Sequence, residues 1–222
     1  MTGDASSFSQ PAIVLGVRPL GESDMVVQLL GATTGKLSAV ARHARSSKRR
    51  FFSSVDVFDC GTFEFERPRS TRALLRLQHI SNRQTFPGLR SNLSALAHGS
   101  MCLEVTERFS AEEDPDGGAL FRPLFAGVRA LSAASDTPTH QAITVYYCLR
   151  LLQSTGFSLL DGTTAMSPDC RRWFEAMVDS GAPIVPHLGG LTSEGIQTTI
   201  RWIEGILGSA LKTTPAALRP AT

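Results

Sequence analysis

GKLSAVARHARSSKRR, residues 35–50, joins a strand pattern to the densest positive charge in the chain. Residues 36–41 alternate polar and apolar side chains, as is typical of a half-buried strand. The second half contains five cations and no acid: Arg42, Arg45, Lys48, Arg49 and Arg50. Two phenylalanines follow at once. Cations neutralise phosphates and aromatic rings stack on bases, so the stretch indicates either a binding element for single-stranded nucleic acid or a solvated basic loop.

Composition favours a folded protein whose charge is distributed unevenly along the chain. The chain has 222 residues, enough for one or two domains, and 42% of them are hydrophobic against 19% charged. Residues 1–80 hold 11 Lys and Arg against 7 Asp and Glu, whereas residues 81–222 hold 11 against 13. The first part is therefore expected to meet a polyanion and the second part to meet proteins.

The cysteines and the N-terminal sequence indicate the cellular compartment of the protein. Four cysteines, at positions 60, 102, 148 and 170, are widely spaced and contain no CxxC pair, which argues against a zinc site. The chain begins without a secretory signal pattern, and no apolar run reaches the length of a membrane span. We therefore expect a reduced, cytoplasmic protein, associated with the nucleoid if its charge serves DNA, with the cysteines as small core residues.

Short strands fill the first part of the chain after an expected disordered tail at residues 1–10. The predicted strands cover residues 12–18, 25–30, 36–41, 55–66 with a bulge at Cys60 and Gly61, and 72–80. Five short strands without a long helix between them predict a small closed barrel, and the OB-fold is the commonest five-stranded example. Residues 11–82 are thus predicted to form an OB-fold β-barrel.

Helical spacing begins near Phe86. Helices are predicted from Leu89 as one long helix, and then over 119–134, 137–156, 167–180 and 192–211. The third is apolar nearly all round and should be central. The chain is therefore predicted to be a multi-domain α+β protein in which an all-α helical domain, residues 83–222, follows the barrel. The acidic residues 112–116 are expected to form a solvated connection, and Glu104 and Glu107 to lie on the surface.

Catalytic patterns are weak. GATTGKLS at residues 31–38 resembles a phosphate-binding P-loop, but its spacing is one residue short and a strand follows where a helix is required, so we interpret it as a hairpin turn. The basic half has no carboxylate cluster, and the five histidines fall in separate elements. An enzyme acting on nucleic acid is therefore disfavoured, and a protein that binds without chemistry is expected.

Two long segments resemble the RecO family of bacterial recombination mediators. GESDMVVQLLGATTGKLSAVARHARSSKRRF (21–51) has that family's G-E-x-D strand start, its G-K-L strand and its basic tail, and FPGLRSNLSALAHGSMCLEVTERF (86–109) is similar to the opening of its helical domain. YYCLRLLQSTGF (146–157) and GSALKTTPAALR (208–219) also resemble family segments. The likeness covers about residues 11–219.

The resemblance implies an OB-fold followed by a helical domain, and a function in DNA repair. It implies binding of single- and double-stranded DNA, annealing of complementary strands, and loading of recombinase onto DNA coated with single-strand binding protein. The implied partners are RecR and the acidic C-terminal tail of single-strand binding protein, with RecF left open. Many family members carry a four-cysteine zinc motif after the segment matching 146–157. Here only Cys170 stands in that region, so we expect no metal or cofactor, and residues 156–190 to be held by packing.

The candidate binding residues follow from charge and placement. Arg72 and Arg76 are four residues apart and would share one face of a strand. The predicted nucleic-acid site comprises Lys36, Arg42, Arg45, Lys48, Arg49, Arg50, Arg72 and Arg76. The predicted partner site is drawn from Arg171, Arg172, Arg201 and Lys212, and Lys212 matches the family's L-K segment. The alternative function is an adaptor between proteins that acts mainly through the helical domain, with weak DNA binding.

Overall fold

A computed structural model describes residues 7–44, 55–70, 73–160, 165–187 and 190–213 of the chain, the side chains at 115–117 excepted. The chain divides into two compact units. The first contains Met1–Thr85 together with Ser110–Arg122, and the second contains Phe86–Phe109 together with Pro123–Thr222. The sequence analysis placed residues 110–122 in the helical domain, whereas in the structure they cluster with the strands.

Five strands form the first unit, and the prediction of a five-stranded OB-fold barrel is confirmed. They are β1 (Ser7–Leu20), β2 (Asp24–Gly31), β3 (Gly35–Ala41), β4 (Cys60–Glu66) and β5 (Leu75–Gln84). The strand order is β1-β2-β3-β5-β4, and β4 pairs back onto β1, so the barrel closes. The β3–β5 pair is the parallel one and is short, joining Ala39 to Leu75 and Val40 to Arg76.

Strand alternation fills the barrel core. Leu37, Ala39 and Ala41 of β3 are buried inside, while the residues between them face outward. Phe63 and Phe65 of β4 are fully buried in the same cluster, with ring centroids 6.3 Å apart. Burying each ring contributes about 1.5–3 kcal/mol to folding. The two phenylalanines therefore belong to the core and do not line a surface groove.

The first strand starts earlier than expected, because residues 7–10 pair with β4 instead of forming a tail. The buried side chain of Gln10 explains why these residues form a strand. Its Oε1 accepts hydrogen bonds from the amide (3.0 Å) and hydroxyl (2.6 Å) of Thr33, and its Nε2 donates to the Thr34 hydroxyl at 2.7 Å. Gln10 thereby connects β1 to the turn between β2 and β3. This turn is the segment that resembles a P-loop in sequence.

The fourth and fifth strands are displaced from their predicted bounds. Residues 55–58 are not strand but a turn, in which Phe58 has a φ of 69° and Asp59 Oδ2 accepts the Asp56 amide at 2.7 Å. The predicted bulge at Cys60 and Gly61 is confirmed as a register shift against β5. That strand begins at Leu75 and continues to Gln84, beyond the predicted end at residue 80.

Six α-helices are described. They are α1 (Pro87–Ser91), α2 (Leu93–Phe109), α3 (Phe121–Ala133), α4 (Thr137–Ser154), α5 (Pro168–Ser180) and α6 (Leu191–Leu207), and a 3-10 segment covers Pro115–Leu120. Helix α4 packs against α2, α5 and α6, as expected for the central helix. In the described part of the chain, every helix is too short or too polar to cross a bilayer.

Two helix boundaries differ from the prediction for local reasons. The long first helix is divided at Asn92, which has an extended backbone and whose Oδ1 accepts the Ala95 amide at 3.1 Å, so that it caps α2. Helix α6 begins at Leu191 rather than at Thr192 and ends at Leu207 rather than near residue 211. At that end, Gly208 adopts the left-handed conformation (φ 63°), in which glycine commonly terminates a helix.

A buried histidine pair lies between α2 and α4, although the sequence showed no histidine pairing. The rings of His98 and His140 are 6.2 Å apart. The Thr144 hydroxyl donates to the His140 carbonyl at 2.9 Å, so its oxygen accepts from Nδ1–H of His98 at 3.1 Å. Burial, with a smaller contribution from His140, lowers the pKa of His98 from 6.5 to about 4.

We predict that acid destabilises the helical unit through His98. Below pH 6.5 the unfolded chain binds a proton at this histidine, whereas the folded chain does not until about pH 4, so stability falls across that window by up to about 3 kcal/mol. Trp173 and Trp202 both lie in this unit, so tryptophan fluorescence during urea unfolding measures it. His98→Asn should flatten the pH dependence. An equal slope in wild type and variant contradicts the assignment.

A second prediction concerns the packing of α6 on α5. A Cβ at Gly195 would lie 2.3 Å from the ring of buried Trp173, so Gly195→Ala should destabilise the helical unit by roughly 1–3 kcal/mol. Gly205, on the same helix, has no atom within 4 Å of its Cβ position, and Gly205→Ala should stabilise by about 0.5–1 kcal/mol. Urea midpoints of the two variants check this, and equal midpoints would refute the close contact.

Candidate nucleic-acid interface

The outward residues of β3 and its neighbours place cations on one side of the barrel, which we call the cationic face, although Val26 within it is buried. Strand register aligns Arg18, Val26, Val40 and Arg76 in a row across β1, β2, β3 and β5. Lys36 projects to the same side of β3, four residues from Val40. Arg18 and Arg76 are separated by three strand spacings, or roughly 14 Å. The face can therefore neutralise several phosphates of an extended strand.

The arginines near this face are partly paired with acids. Arg76 Nη1 lies 3.3 Å from Glu66 Oε1, and the side chain of Arg76 is 42% exposed. Arg67, which follows β4, lies 3.7 Å from Glu113 and stacks over the Phe8 ring at 5.0 Å. Exposed ion pairs of this kind contribute little to stability, so phosphates can replace the carboxylates at small cost.

The base of the basic loop is anchored to β2. His43 adopts the left-handed conformation (φ 56°), and its amide donates to Asp24 Oδ1 at 2.9 Å. This hydrogen bond is the largest cause that lowers the pKa of the Asp24 carboxyl, so it stays ionised. The adjacent Arg42 is exposed. Asp24 is the acid of the G-E-x-D segment, and its role at the loop base had no signal in the sequence.

The predicted nucleic-acid residues divide into two groups. Lys36, Arg42 and Arg76 are described, and they lie on β3, directly after it and on β5. The other five lie outside the described residues and stay predictions: Arg45, Lys48, Arg49, Arg50 and Arg72.

The acidic segment after α2 is exposed to solvent at residues 111–113, as expected for a connection, but it also contacts the barrel. Its backbone docks in parallel on β3: the Lys36 amide donates to the Ala111 carbonyl at 3.3 Å, and the Glu113 amide donates to the Lys36 carbonyl at 2.9 Å. Four acids thereby join the basic unit, whose net charge is +2 instead of the +4 of residues 1–80. Partners so distant in sequence leave no local pattern.

The four partner candidates have different surroundings. Arg171 is half-buried and donates to the Leu160 carbonyl at 3.0 Å, while Arg172 forms an ion pair with Asp169 within α5. Arg201 and Lys212 are exposed. Arg201 also donates to the Thr198 hydroxyl at 3.3 Å, so three of the four side chains have structural contacts, and Arg201 and Lys212 are the two exposed ones.

An aromatic cluster in the helical unit had no signal in the sequence, because its members lie in three separate segments. Phe157 packs edge-to-face on Phe109 at 6.0 Å and on Trp202 at 6.3 Å, and it is 40% exposed. Trp173, in contrast, is a buried core residue and donates to the Ile184 carbonyl at 2.8 Å.

Glu104 is buried, so its prediction as a surface residue is wrong. Its carboxylate accepts the Lys212 amide at 2.9 Å, the Thr213 amide at 2.8 Å and the Thr213 hydroxyl at 2.6 Å, and it pairs with Arg108 at 2.6 Å. Burial raises the pKa of Glu104, but these donors and the Arg108 charge outweigh it, and the net pKa is lowered. Glu104 therefore fastens the segment that carries Lys212.

The described residues do not fit the zinc site of the family. They contain no group of three or more His, Cys, Asp or Glu side chains placed to share a metal. Cys170 is fully buried in α5, where burial raises the pKa of its thiol to about 12 and opposes the thiolate that zinc requires. Hydrogen bonds hold this region instead: Glu194 accepts the Ser167 amide at 2.8 Å and its hydroxyl at 2.9 Å.

Comparisons with known proteins agree with this architecture. The family model described as "Recombination protein O N terminal" matches residues 5–86, and the model described as "Recombination protein O C terminal" matches residues 90–160. The chain therefore belongs to the recombination protein O family, RecO.

Several curated proteins are similar over part of their length. The DNA repair protein RecO of Desulfosudis oleivorans is 28% identical over 149 residues, 67% of this chain and 56% of that protein. The DNA repair protein RecO of Anaeromyxobacter dehalogenans strain 2CP-C is 38% identical over 126 residues, 57% of this chain and 49% of that protein. The one from Nocardioides sp. is 26% identical over 189 residues, 83% and 72%. The chain spans about half the length of the first relatives.

We predict that Glu104→Gln releases the segment around Lys212. The amide side chain cannot accept four charge-assisted contacts, so the Lys212 and Thr213 amides should exchange hydrogen faster. Glu107→Gln, three residues further along α2, serves as the control. Exchange at these two amides by nuclear magnetic resonance measures the effect, and unchanged protection in the Glu104 variant would contradict the anchoring role.

Proposed function

We propose that this protein binds single- and double-stranded DNA through the cationic face of its barrel and the basic loop that follows β3. In this proposal it anneals complementary strands and helps recombinase to load onto DNA coated with single-strand binding protein. The observation that supports it best is the strand register, which aligns Arg18 and Arg76 on the side of the barrel that Lys36 also faces.

The proposed mechanism needs no catalytic residue. Two complementary strands repel each other as polyanions, and a cationic surface lowers that repulsion. Contacts to phosphates carry no sequence information, so strands can slide and search for their pairing register while bound. The side chain of Arg67 can exchange its carboxylate for a phosphate because its pair with Glu113 is exposed, whereas Arg76 is exposed but its partner Glu66 is half-buried.

Family membership supports the biological setting. The relatives are named DNA repair proteins, and we propose the same role in recombinational repair for this chain. RecR and the C-terminal tail of single-strand binding protein are the proposed partners, and RecF is a further one to test. The proposed cellular place is the cytoplasm, at the nucleoid.

Salt dependence tests the basic loop. If the five cations at 42–50 contact single-stranded phosphates, the logarithm of the binding constant should fall with the logarithm of salt at a slope of about −3.5. Replacing Arg45, Lys48, Arg49 and Arg50 by glutamine should flatten the slope by about 2.8 and abolish annealing. Fluorescence anisotropy of a labelled oligothymidine measures binding, and an unchanged slope removes the loop from the mechanism.

The described face is tested by Lys36→Gln with Arg76→Gln, which should flatten the slope by about 1.4. The matched control is Arg129→Gln with Arg150→Gln, which removes two exposed cations from the helical unit. If the control flattens the slope as much as the test variant, the effect is one of total charge and the face is not the site.

The aromatic cluster favours a second activity, docking of an acidic peptide that ends in phenylalanine. Phe157 offers an exposed ring beside Trp202, and the adjacent Arg201 is exposed and cationic. An adaptor that acts mainly here would bind the tail peptide of single-strand binding protein and bind DNA weakly. Peptide affinity of Phe157→Ala, measured beside its oligonucleotide affinity, separates the adaptor from the DNA binder.

A further inference from the structure

Residues 111–114 lie along the edge of β3 that also receives β5, and we call them the acidic strap. The strap pairs with β3 at Lys36, whereas β5 pairs with it at Ala39 and Val40. The strap and β5 therefore occupy successive parts of the same edge of β3. A cavity of about 390 Å³ lies beside Ser38, between the two.

The strap brings carboxylates to the place where phosphates would bind. Glu112 Oε1 accepts a hydrogen bond from the Ser38 hydroxyl at 3.4 Å, and Glu113 Oε2 lies 3.7 Å from Arg67 Nη1. The cavity beside Ser38 is lined by Arg67 and Ser70 as well as by both glutamates. Hydroxyl and guanidinium groups are ordinary donors to phosphate oxygens, and here the Ser38 hydroxyl donates to Glu112 while the Arg67 guanidinium forms an ion pair with Glu113.

The strap is held loosely enough to exchange. Its pairing with β3 is an isolated bridge, and the Arg67–Glu113 pair is exposed, with side chains 46% and 57% accessible. Glu113 has a φ of 50°, a conformation that is strained for a residue other than glycine. An isolated bridge, an exposed ion pair and local strain are properties of segments that open easily.

The segment that follows the strap is fastened more firmly. Gly118 lies so close to the β2–β3 hairpin that a Cβ there would be 2.2 Å from the Ala32 carbonyl oxygen. The strap can therefore leave β3 and return, because the chain a few residues later stays against the barrel.

We propose that the acidic strap is an intramolecular competitor of the phosphate backbone: it occupies the β3 edge in the free protein and is displaced when a nucleic-acid strand binds. This inference rests on the proposed function of the cationic face and adds its regulation. The strap raises the threshold for binding, so short or sparsely charged anions do not open the face, whereas a long polyanion does.

Two measurements on the full chain test the proposal. The first is the affinity for labelled oligothymidine of Glu112→Gln with Glu113→Gln, against the charge-matched control Glu175→Gln with Asp179→Asn on α5. The strap variant should bind roughly threefold to tenfold more tightly than the control. The second is hydrogen exchange of the Lys36 and Glu113 amides, which are the donors of the bridge. Saturating oligothymidine should speed exchange at both.

The possible outcomes distinguish a failure of the strap proposal from a failure of the proposed DNA-binding function. Equal affinities of the strap variant and the control, or amides that stay protected in the complex, overturn the proposal and leave the strap as a cover for a strand edge. In that case wild-type binding with a steep salt slope still supports the cationic face. If neither wild type nor variant binds oligothymidine at low salt, the proposed function is wrong and the inference falls with it.

Discussion

The barrel unit depends on strand β3. One edge of this strand pairs with β2, and its other edge pairs with two different segments. Strand β3 pairs with β2 along its whole length, but its other edge is shared by β5 at Val40 and by the acidic strap at Lys36. Because side chains alternate, the same strand fills the core with Leu37 and its inward neighbours while it presents Lys36 outward. Strand β3 therefore contributes to the closure of the barrel, to its core and to the candidate interface.

Charge on this unit is balanced more closely than the sequence suggests. Two arginines near the face lie beside acids that the fold brings to them, Glu66 beside Arg76 and Glu113 beside Arg67. Each exposed pair is weak, so the balance can shift toward a denser anion. A single strand of nucleic acid, with one phosphate per nucleotide, supplies that density. Selectivity for long polyanions can thus arise without any base contact.

In the helical unit, polar side chains and close packing hold the region around α5 and α6. Ser167 caps α5 and is itself held by Glu194 of α6, and Trp173 closes the contact between the two helices against Gly195. Glu104 serves the same purpose at the C-terminal segment. The buried Glu104 gathers several donors, which offset the cost of its own burial, and the half-buried Glu194 accepts two hydrogen bonds from Ser167.

Local patterns were sufficient for the fold class, because alternation and helical spacing are consequences of short-range geometry. They gave five strands, the bulge at Cys60, the central helix α4 and the basic run after β3. They could not give the pairing of Lys36 with Ala111, the burial of Glu104 or the approach of His98 to His140, since these partners are separated by tens of residues. Only tertiary contact decides which acids lie beside which cations, and the candidate interface depends on that placement.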